Sequence, residues 1–313
     1  MDLKTLQQTY IQYLQNQPFN GHPASLYEPI NYIMNLGGKR IRPVFTLAAS
    51  ALYKDDFMAA LPVAHAIETF HNFTLVHDDI MDGANSRRGQ ETVHIRNGLP
   101  TAILAGDNML ILSLQMLEGV RPDILKVFLK TAQDVCDGQQ MDMEFETRSS
   151  VTMAEYLEMI RLKTAVLLGC AAYVGAAHAG ASESDCKKLY SFGQDIGMAF
   201  QMQDDWLDTF GSSAQTGKIE GGDIIARKKM WLYIKAKEAH STEIDDIYSI
   251  ENLDERVKAA QAYFDKIGVS EAIAMEQNRY YDNAMNTLNS LGFNDKKMQP
   301  FLEVASFLKT RNH

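Results

Sequence analysis

Two aspartate clusters of the form Asp-Asp-x-x-Asp lie far apart in this chain. They comprise Asp78, Asp79 and Asp82 in VHDDIMD, and Asp204, Asp205 and Asp208 in QMQDDWLD. Each cluster follows an apolar stretch without turn residues and is predicted to end a helix, so its first and last aspartates share one face. Two such faces opposed across a cavity would bind divalent cations and leave coordination positions open for a polyanion. Mg²⁺ is usually bound in this way, by a few carboxylates together with substrate phosphate and water.

A solvated acidic helix end is the alternative interpretation, since the chain contains 40 Asp and Glu against 30 Lys and Arg. A solvated face would carry Lys and Glu between the aspartates. The residues around both clusters are instead apolar, as in LVHDDIMD and AFQMQDDWLD. Two clusters in apolar surroundings favour metal binding.

Basic residues that lie close to glycines accompany the clusters and could bind phosphate. They are Arg87 and Arg88 after the first cluster, Lys218 and Lys228 around the Gly-rich loop after the second, and Lys39, Arg40 and Arg42 in GGKRIRP. Taken singly, each is more typical of a surface charge. Guanidinium groups, however, offer forked, permanently charged donors that match phosphate oxygens. GGKRIRP therefore predicts a second anion site.

Helical periodicity dominates the elements that must position these residues. Predicted helices cover about 3–14, 27–36, 43–52, 58–82, 101–118, 121–147, 152–178, 183–208, 224–240, 252–266, 270–289 and 297–310. No segment alternates convincingly with period two, and GANSRRGQET and GSSAQTGKIEGGD are predicted loops. LLGCAAYVGAA is apolar nearly all round, which is typical of a helix in the middle of a bundle. The chain is therefore predicted to form a single all-α domain over 1–313.

Composition narrows the classes of function. A hydrophobic fraction of 46% is ordinary for a globular protein, and a net charge of −10 without a basic stripe argues against nucleic-acid binding. Cys136, Cys170 and Cys186 form neither a disulfide framework nor a zinc motif. The opening MDLKTLQQTYIQYLQ lacks the apolar core of a signal peptide, and no uninterrupted apolar run is long enough to span a bilayer. We expect a cytoplasmic protein without stable membrane insertion.

Five ordered motifs with compatible spacing resemble the trans-isoprenyl diphosphate synthases, the family of farnesyl and geranylgeranyl diphosphate synthases. They are GGKRIRP at 37–43, HDDIMD with RRG at 77–89, Lys163-Thr164, FQMQDDWLD at 200–208, and a last segment with GK at 217–218, GGD at 221–223 and Lys228. The resemblance spans nearly the whole chain. It implies an all-α bundle around a deep central cavity, a homodimer, and about three Mg²⁺ ions in each active site.

The resemblance implies two diphosphate sites. An allylic diphosphate would be bound through Mg²⁺ by Asp78, Asp82 and Asp204, with the other aspartates of the two clusters assisting. Its remaining contacts would be Arg87, Lys163, Gln201, Lys218 and Lys228. Isopentenyl diphosphate would bind at Lys39, Arg42, His71 and Arg88, with Arg311 closing over it. The family often has Gly-Lys where this chain has ARKK, and Lys228 fits the family spacing better than Lys229.

The implied reaction follows from these charges. Metal ions and basic side chains stabilise the negative charge on the leaving diphosphate, so the allylic C–O bond can ionise. The isopentenyl double bond then attacks the allylic cation, and proton loss to the released pyrophosphate completes a trans unit. The resemblance implies that three dipoles lie beside the cation, supplied by Thr164, the Lys163 carbonyl and Gln201. His77 is predicted to be a structural histidine with a hydrogen-bond partner.

Product length would depend on residues before Asp78 on the same helix, where the prenyl tail must run. The candidate floor of the tunnel comprises Phe70, Phe73 and Thr74. In this family an aromatic residue at the position of Phe73 is typical of short products. The small Thr74 leaves room for the tail at a position where farnesyl diphosphate synthases often have a second aromatic residue. The combination predicts geranylgeranyl diphosphate (C20), with farnesyl diphosphate (C15) as the alternative. The phenylalanines could also be ordinary core residues.

Two other classes of protein compete with this interpretation. A class I terpene cyclase shares the fold and the first aspartate cluster, but it normally replaces the second cluster and has no need of GGKRIRP. A non-catalytic subunit of a heteromeric synthase generally loses aspartates or basic residues. None of these core residues is missing from the chain, which favours a chain-elongating enzyme.

Overall fold

The computed structural model describes residues 2–211, 220–239 and 242–310, and the fold within these ranges is almost entirely helical. The helices are α1 (Leu3–Gln15), α2 (Ala24–Asn35), α3 (Ile41–Tyr53), α4 (Leu61–Met81), α5 (Val93–Asn97), α6 (Leu99–Gln115), α7 (Pro122–Thr147), α8 (Met153–Ile160), α9 (Val166–His178), α10 (Glu183–Phe210), α11 (Gly222–Ile225), α12 (Trp231–Glu238), α13 (Glu243–Ser249), α14 (Leu253–Lys266), α15 (Val269–Asn289) and α16 (Asp295–Thr310). A 3₁₀ turn (Phe57–Ala60) precedes α4. The all-α prediction is confirmed.

The helix α9 lies in the middle of the bundle. All its residues from Val166 to Ala177 are buried, and it packs against α3, α7 and α10. Its small residues allow close approach, since a Cβ atom on Gly175 would lie only 2.0 Å from the carbonyl oxygen of Thr46 in α3. Because apolar burial contributes roughly 25 cal/mol per Å², this all-round packing makes α9 a principal source of core stability.

The long helix α10 connects two apolar clusters. Phe192 and Ile196 in its first half pack into a cluster that includes α3, α4, α7 and α9. Met198 and Met202, one turn apart further along, belong to a second cluster built around α8, α12 and α14. The C-terminal half of α10 is therefore held from two sides, which fixes the aspartates that it carries.

Several segments differ from the sequence prediction, and one of them is the short helix α5, which was not predicted. The continuous helix predicted over 224–240 is wrong, because the chain forms α11 and α12 with a break between them. Arg227 has a left-handed φ of 55°, and the backbone N–H of Lys228 donates to the carbonyl oxygen of Asp223 at 2.8 Å. The short helix α13 was not predicted. The loop predicted after the first cluster contains a small antiparallel hairpin, β1 (Ser86–Arg87) and β2 (Gln90–Glu91).

One stretch bears on the expectation about membrane-spanning segments. Met153–His178 combines α8, the turn that follows it and α9, and it is long and apolar enough to cross a membrane by length and composition. Charged residues interrupt the stretch at Glu155, Glu158, Arg161 and Lys163, so it is not an uninterrupted apolar run. Within the bundle, 83% of its apolar window is buried, which is how a core helix fits into a fold.

A π-helical turn (Arg161–Ala165) joins α8 to α9. Such turns carry i→i+5 hydrogen bonds and are frequent at functional sites. Two glycines allow neighbouring helices to approach this turn. A Cβ atom on Gly138 in α7 would lie 2.3 Å from the backbone nitrogen of Lys163, and one on Gly197 in α10 would lie 2.6 Å from the Cα atom of Ala165. The turn therefore presents Lys163 from a fixed backbone position.

Replacing Gly138 by alanine should test this close packing. Alanine favours a helix over glycine by up to about 1 kcal/mol, but the added methyl would overlap the Lys163 backbone. Overpacking of this kind should lower the free energy of unfolding by about 1–3 kcal/mol in a denaturant titration. Gln133→Ala changes an exposed side chain of the same helix and should stay within about 0.5 kcal/mol of wild type. A Gly138→Ala protein as stable as wild type would contradict the tight contact.

Candidate active site

A cavity of about 400 Å³ opens at the C-terminal ends of α4 and α10, and residues of both aspartate clusters border it. Residues from α7, α8, the π turn and the turn after α11 complete its walls. Its polar lining comprises Asp78, Asp82, Arg87, Asp142, Glu146, Tyr156, Lys163, Thr164, Gln201, Asp204, Asp205, Asp223, Lys228 and Lys229. The fold thus brings two clusters that are more than a hundred residues apart to one site.

Three aspartates face the cavity from its two sides: Asp78 and Asp82 from the end of α4, and Asp204 from α10. The Oδ1 atom of Asp78 is buried and makes no hydrogen bond, although it lies 3.3 Å from Lys163 Nζ. Burial raises the pKa of Asp82, and the negative charge of Asp78 raises it further. The nearby lysines lower the pKa of Asp82, but they do not fully offset the effects of burial and of Asp78.

Asp79 is directed away from this group and holds Arg87. The Asp79 side chain is buried, and Arg87 Nε donates to its two oxygens at 3.0 and 2.9 Å. Arg87 Nη2 adds a third bond to Oδ1 at 2.8 Å. A two-pronged pair of this kind fixes the guanidinium in position and direction. Asp79 therefore holds Arg87 at the cavity wall, and direct metal binding by Asp79 stays a prediction.

Asp208 also lies outside the cavity lining, where it organises the turn that precedes α11. Its Oδ2 atom accepts from the backbone N–H of Asp223 at 2.8 Å, and its carbonyl oxygen accepts from Gly221 N at 2.7 Å. Gly221 has a φ of 66°, which favours glycine. These bonds present Asp223 to the cavity. The prediction that Asp208 binds metal directly stays untested.

Asp205 anchors a hydrogen-bond network that reaches the cavity. Its Oδ2 atom accepts from the Tyr156 hydroxyl and from the backbone N–H of Trp231 at 3.2 Å. Its Oδ1 atom accepts from Gln201 Nε2 at 3.3 Å, and Gln201 Oε1 accepts from the Thr164 hydroxyl at 3.2 Å. Burial raises the pKa of Asp205 to about 7. Asp205, which was predicted to bind metal, already has both oxygens in use, and its Oδ1 atom orients the Gln201 amide.

Lys163 lies between carboxylates of α4 and α7. Its Nζ atom is 2.6 Å from Asp142 Oδ2 and 3.3 Å from Asp78 Oδ1. Burial alone would lower the pKa of Lys163, but Asp142 and Asp78 outweigh it and raise that pKa above its ordinary value. The ammonium is therefore charged and is held where a diphosphate beside Asp78 would meet it.

The two lysines that follow Arg227 differ in their contacts. Lys229 Nζ donates to the carbonyl oxygens of Phe145 and Glu146 at 2.8 and 3.3 Å, so its ammonium is committed to the end of α7. Burial would lower the pKa of Lys228, but the carboxylates of Asp223, Asp142 and Asp82 raise it overall. This arrangement favours Lys228 for the diphosphate, in line with its spacing in the sequence.

The donor set fits Mg²⁺ that is shared with a substrate. Within residues 2–211, 220–239 and 242–310, no three His, Cys, Asp or Glu side chains converge closely enough to hold an ion by themselves. The carboxylates of Asp78, Asp82 and Asp204 instead line two sides of one cavity. Mg²⁺ commonly takes only one or two carboxylates and completes its octahedral shell with water and substrate phosphates. The buried Asp78 Oδ1 atom without a hydrogen bond suits such a cation.

The predicted isopentenyl diphosphate site lies where α3 and α4 meet. Arg42 Nη1 is 3.0 Å from His71 Nε2. Burial, followed by the charges of Arg42 and Arg88, lowers the pKa of His71 well below its ordinary value, so the neutral ring accepts from Arg42. The Arg88 guanidinium packs so closely over Gly38 that a Cβ atom there would lie 2.7 Å from its Cζ atom. Lys39 is exposed in the same loop.

The predicted chain-length residues occupy an aromatic stack on α4. The Phe73 ring lies 5.5 Å from that of Phe70 and 4.9 Å from that of His77. Phe70 in turn packs edge-on against Phe128 of α7 at 5.2 Å. The Thr74 hydroxyl donates to a backbone carbonyl within α4 at 2.7 Å. None of the three predicted residues borders the cavity described above, and their role as a tunnel floor stays a prediction.

Sequence reasoning missed several residues of the cavity. Asp142 forms the closest contact to Lys163, and Tyr156 supports Asp205. Asp223 was noted only as part of GGD. The spacing of Asp142 and Glu146 in MDMEFE, four residues apart on a predicted helix, was a signal that both share a face. Two predicted residues, Lys218 and Arg311, lie outside the residues that the structure describes.

Comparison with known proteins agrees with this geometry. Residues 23–265 match the Polyprenyl synthetase family profile. A geranylgeranyl pyrophosphate synthase from Geoglobus acetivorans is 45% identical over 222 residues, which cover 69% of each chain. A geranylfarnesyl diphosphate synthase from Natronomonas pharaonis is 33% identical over 313 aligned positions, covering 93% of this chain and 91% of its own. A crystal structure of a geranylgeranyl pyrophosphate synthase matches with a TM-score of 0.93 and 39% identity, over 98% of this chain and 99% of that one.

A helical bundle in which two carboxylate clusters face one cavity defines the isoprenoid synthase class. The chain belongs to the polyprenyl synthetase family. The family resemblance seen in the sequence is thereby confirmed.

The division among the aspartates leads to a paired prediction. Asp78→Ala should lower turnover by about 100- to 1,000-fold and raise the Mg²⁺ concentration needed for half-maximal rate, because it removes a carboxylate that faces the cavity. Asp208→Ala should instead lower the free energy of unfolding by about 1–3 kcal/mol, since it leaves the partly buried Asp223 N–H without its acceptor. Mg²⁺ titrations of turnover and thermal unfolding of both variants separate the two effects. An equal shift in Mg²⁺ dependence for Asp208→Ala would make Asp208 a metal ligand.

Proposed function

We propose that the protein is a chain-elongating prenyltransferase that condenses isopentenyl diphosphate with an allylic diphosphate. The observation that carries this proposal is the placement of Asp78 and Asp82 opposite Asp204 across one cavity, with Lys163 and Lys228 beside them. Carboxylates and ammonium groups so interleaved suit a diphosphate bound through divalent cations. The site of Arg42 and His71 offers a second place for a diphosphate, and a condensation of two diphosphates requires both.

The ionisation step would depend on the charges around the leaving group. Asp78, Asp82 and Asp204 would hold Mg²⁺, which neutralises negative charge on the diphosphate when bound. Lys163 and Lys228 would contact diphosphate oxygens and stabilise the charge that develops as the allylic C–O bond breaks. Because Asp142 holds Lys163 in place, this contact needs little rearrangement at the moment of reaction.

The cation would then be stabilised by oriented dipoles. Asp205 binds the Gln201 amide nitrogen, so the amide oxygen is turned towards Thr164 and the cavity. An oxygen so directed would stabilise positive charge on the allylic fragment. The double bond of isopentenyl diphosphate would attack this fragment, and the released pyrophosphate would accept the proton that is lost.

We propose geranylgeranyl diphosphate (C20) as the main product. The bulky Phe73 on the helix that carries Asp78, with the smaller Thr74 next to it, supports a short product if these residues form the tunnel floor. The relative from Geoglobus acetivorans is named a geranylgeranyl pyrophosphate synthase, and the more distant one from Natronomonas pharaonis a geranylfarnesyl diphosphate synthase. Farnesyl diphosphate (C15) is the alternative from the sequence.

The test is a product-length assay. Purified protein would receive Mg²⁺, radiolabelled isopentenyl diphosphate and, separately, dimethylallyl, geranyl or farnesyl diphosphate, and the products would be resolved by chromatography. Elongation of farnesyl diphosphate by one unit, with no further growth, is the expected result. Products that end at farnesyl diphosphate would contradict the C20 assignment. No elongation from any of the three primers would favour a non-catalytic subunit.

Phe73→Ala should lengthen the product by one or more isoprene units in the same assay, because it removes the largest side chain of the predicted floor. Phe264→Ala makes the same truncation in α14, within the second apolar cluster, and should leave product length unchanged. An unchanged product from Phe73→Ala would place the floor elsewhere, with Phe70 as the next candidate.

We also propose that the chain acts as a homodimer. The helix α6 exposes several large apolar side chains, which suit an interface with a second copy. They are Leu99, Ile103, Leu104 and Ile111, with 41–59% of each accessible. Leu104→Glu combined with Ile111→Glu should convert a particle of twice 35.1 kDa into a monomer in light-scattering chromatography. Met275→Glu, which alters an exposed residue of α15, should leave the mass unchanged. A wild-type monomer would refute the proposal.

The remaining expectations belong to the same proposal. We infer a single domain over 1–313 that acts in the cytoplasm, without stable membrane insertion and without a nucleic-acid partner. The burial of Met153–His178 in the bundle and the net charge of −10 support these points.

A further inference from the structure

Arg40 belongs to the glycine-rich motif of the second anion site, but its guanidinium is directed into the protein. Its Nη1 atom donates to Glu68 Oε1 at 2.6 Å, and only 3% of either side chain is exposed. Its Nη2 atom donates to the carbonyl oxygen of Met34, in the last turn of α2. A buried ion pair is weak evidence for stability, because the loss of hydration offsets much of the attraction between the charges. The pair therefore suggests another role.

The loop that contains Arg40 is anchored from several helices. Arg40 itself has a left-handed φ of 52° and immediately precedes α3. Gln7 of α1 donates to the carbonyl oxygen of Lys39 at 2.9 Å. Arg88 donates to the carbonyl oxygen of Gly37. The loop backbone is thus bound at two residues that precede Arg40, while the Arg40 side chain is bound to Glu68, so the position of this loop is tightly determined.

The pair also joins the two segments that present the anion-binding groups. Arg40 lies two residues before Arg42, and Glu68 lies three residues before His71 on α4. The Glu68 carbonyl oxygen accepts from Asn72 Nδ2 at 2.8 Å, which braces this turn of α4. The contact between Arg42 and His71 at 3.0 Å therefore spans the same junction as the buried pair.

We infer that Arg40 and Glu68 are positioning residues for isopentenyl diphosphate, an inference that rests on the proposed function. Their ion pair holds the loop of residues 37–42 against α4, so that Lys39, Arg42 and His71 can meet one diphosphate. Neither Arg40 nor Glu68 contacts that diphosphate. The aspartate cavity has its own supports in Asp142 and Asp205, so binding of the allylic diphosphate does not depend on the pair.

The decisive variant is the double substitution Arg40→Met with Glu68→Met. It leaves the net charge of the site unchanged and leaves no buried charge without a partner. Positioning predicts that the KM for isopentenyl diphosphate rises about tenfold or more, since displacements near 1 Å can have effects of that size. The KM for the allylic diphosphate should stay within about twofold. A purely electrostatic role predicts no change in either constant, and that result would overturn the inference.

Direct binding separates this inference from the proposed function. Calorimetric titration with isopentenyl diphosphate measures its Kd without any turnover. If wild type binds but does not elongate, the proposed reaction fails, and the Kd of the double variant still decides the role of the pair. If wild type does not bind isopentenyl diphosphate, both are wrong. Phe264→Leu, a buried change in α14, controls for general destabilisation and should leave the Kd unchanged.

A second variant covers the case in which the double variant does not fold. Glu68→Gln removes a negative charge beside a group of arginines and keeps the shape of the side chain. If Glu68 acts only through its charge, isopentenyl diphosphate should bind more tightly to this variant. If Glu68 positions the loop, the Kd should rise, because the amide holds Arg40 less firmly. The sign of the change thus distinguishes the two roles, and tighter or unchanged binding would overturn the inference.

Discussion

Mutual repulsion among carboxylates around one cavity is the constraint on which the rest of the structure depends. Asp82 and Asp205 both have raised pKa values, caused first by burial and then by a neighbouring aspartate. Like charges in a partly desolvated site repel strongly, so such a site persists only if rigid elements hold it. The fold meets this requirement with the packed ends of α4 and α10. Two lysines are interleaved with the carboxylates, and their own pKa values rise in response.

The aspartates consequently divide between facing the cavity and building it. Asp79 and Asp208 have the same motif positions as residues that face the cavity, but they bind an arginine side chain and a backbone N–H instead. Asp205 stands between the two groups, since it borders the cavity with both oxygens already in use. Residues at the same position of a repeated motif therefore need not have the same role. The helical repeat directs some carboxylates towards the cavity and others towards neighbouring segments of the same chain. There they hold Arg87 and Asp223 at the cavity wall.

The sequence was sufficient for the fold class, the family and the approximate helix bounds, because apolar periodicity and motif order are local properties. It was not sufficient for the break between α11 and α12, where Arg227 adopts a left-handed conformation that residue type alone does not reveal. Asp142 was missed because its importance depends on Lys163, twenty-one residues later, approaching it across a π turn. Arg40 was grouped with the anion-binding residues, since nothing local indicates that Glu68 would take its guanidinium. The sequence predictions were thus wrong or incomplete where contacts between distant residues determine the conformation or the role of a side chain.

The burial of α9 has a consequence for the order in which the chain can be assembled. During synthesis α3 and α7 leave the ribosome before α9, whereas α10 follows it. An all-round apolar helix can therefore be covered on two sides as soon as it is made, but its third side stays open until the chain has been extended to about residue 210. Until then the nascent protein leaves the side of α9 that later packs against α10 exposed. The interval between α9 and the end of α10 is the stage at which unfinished chains are most prone to aggregate or to bind chaperones.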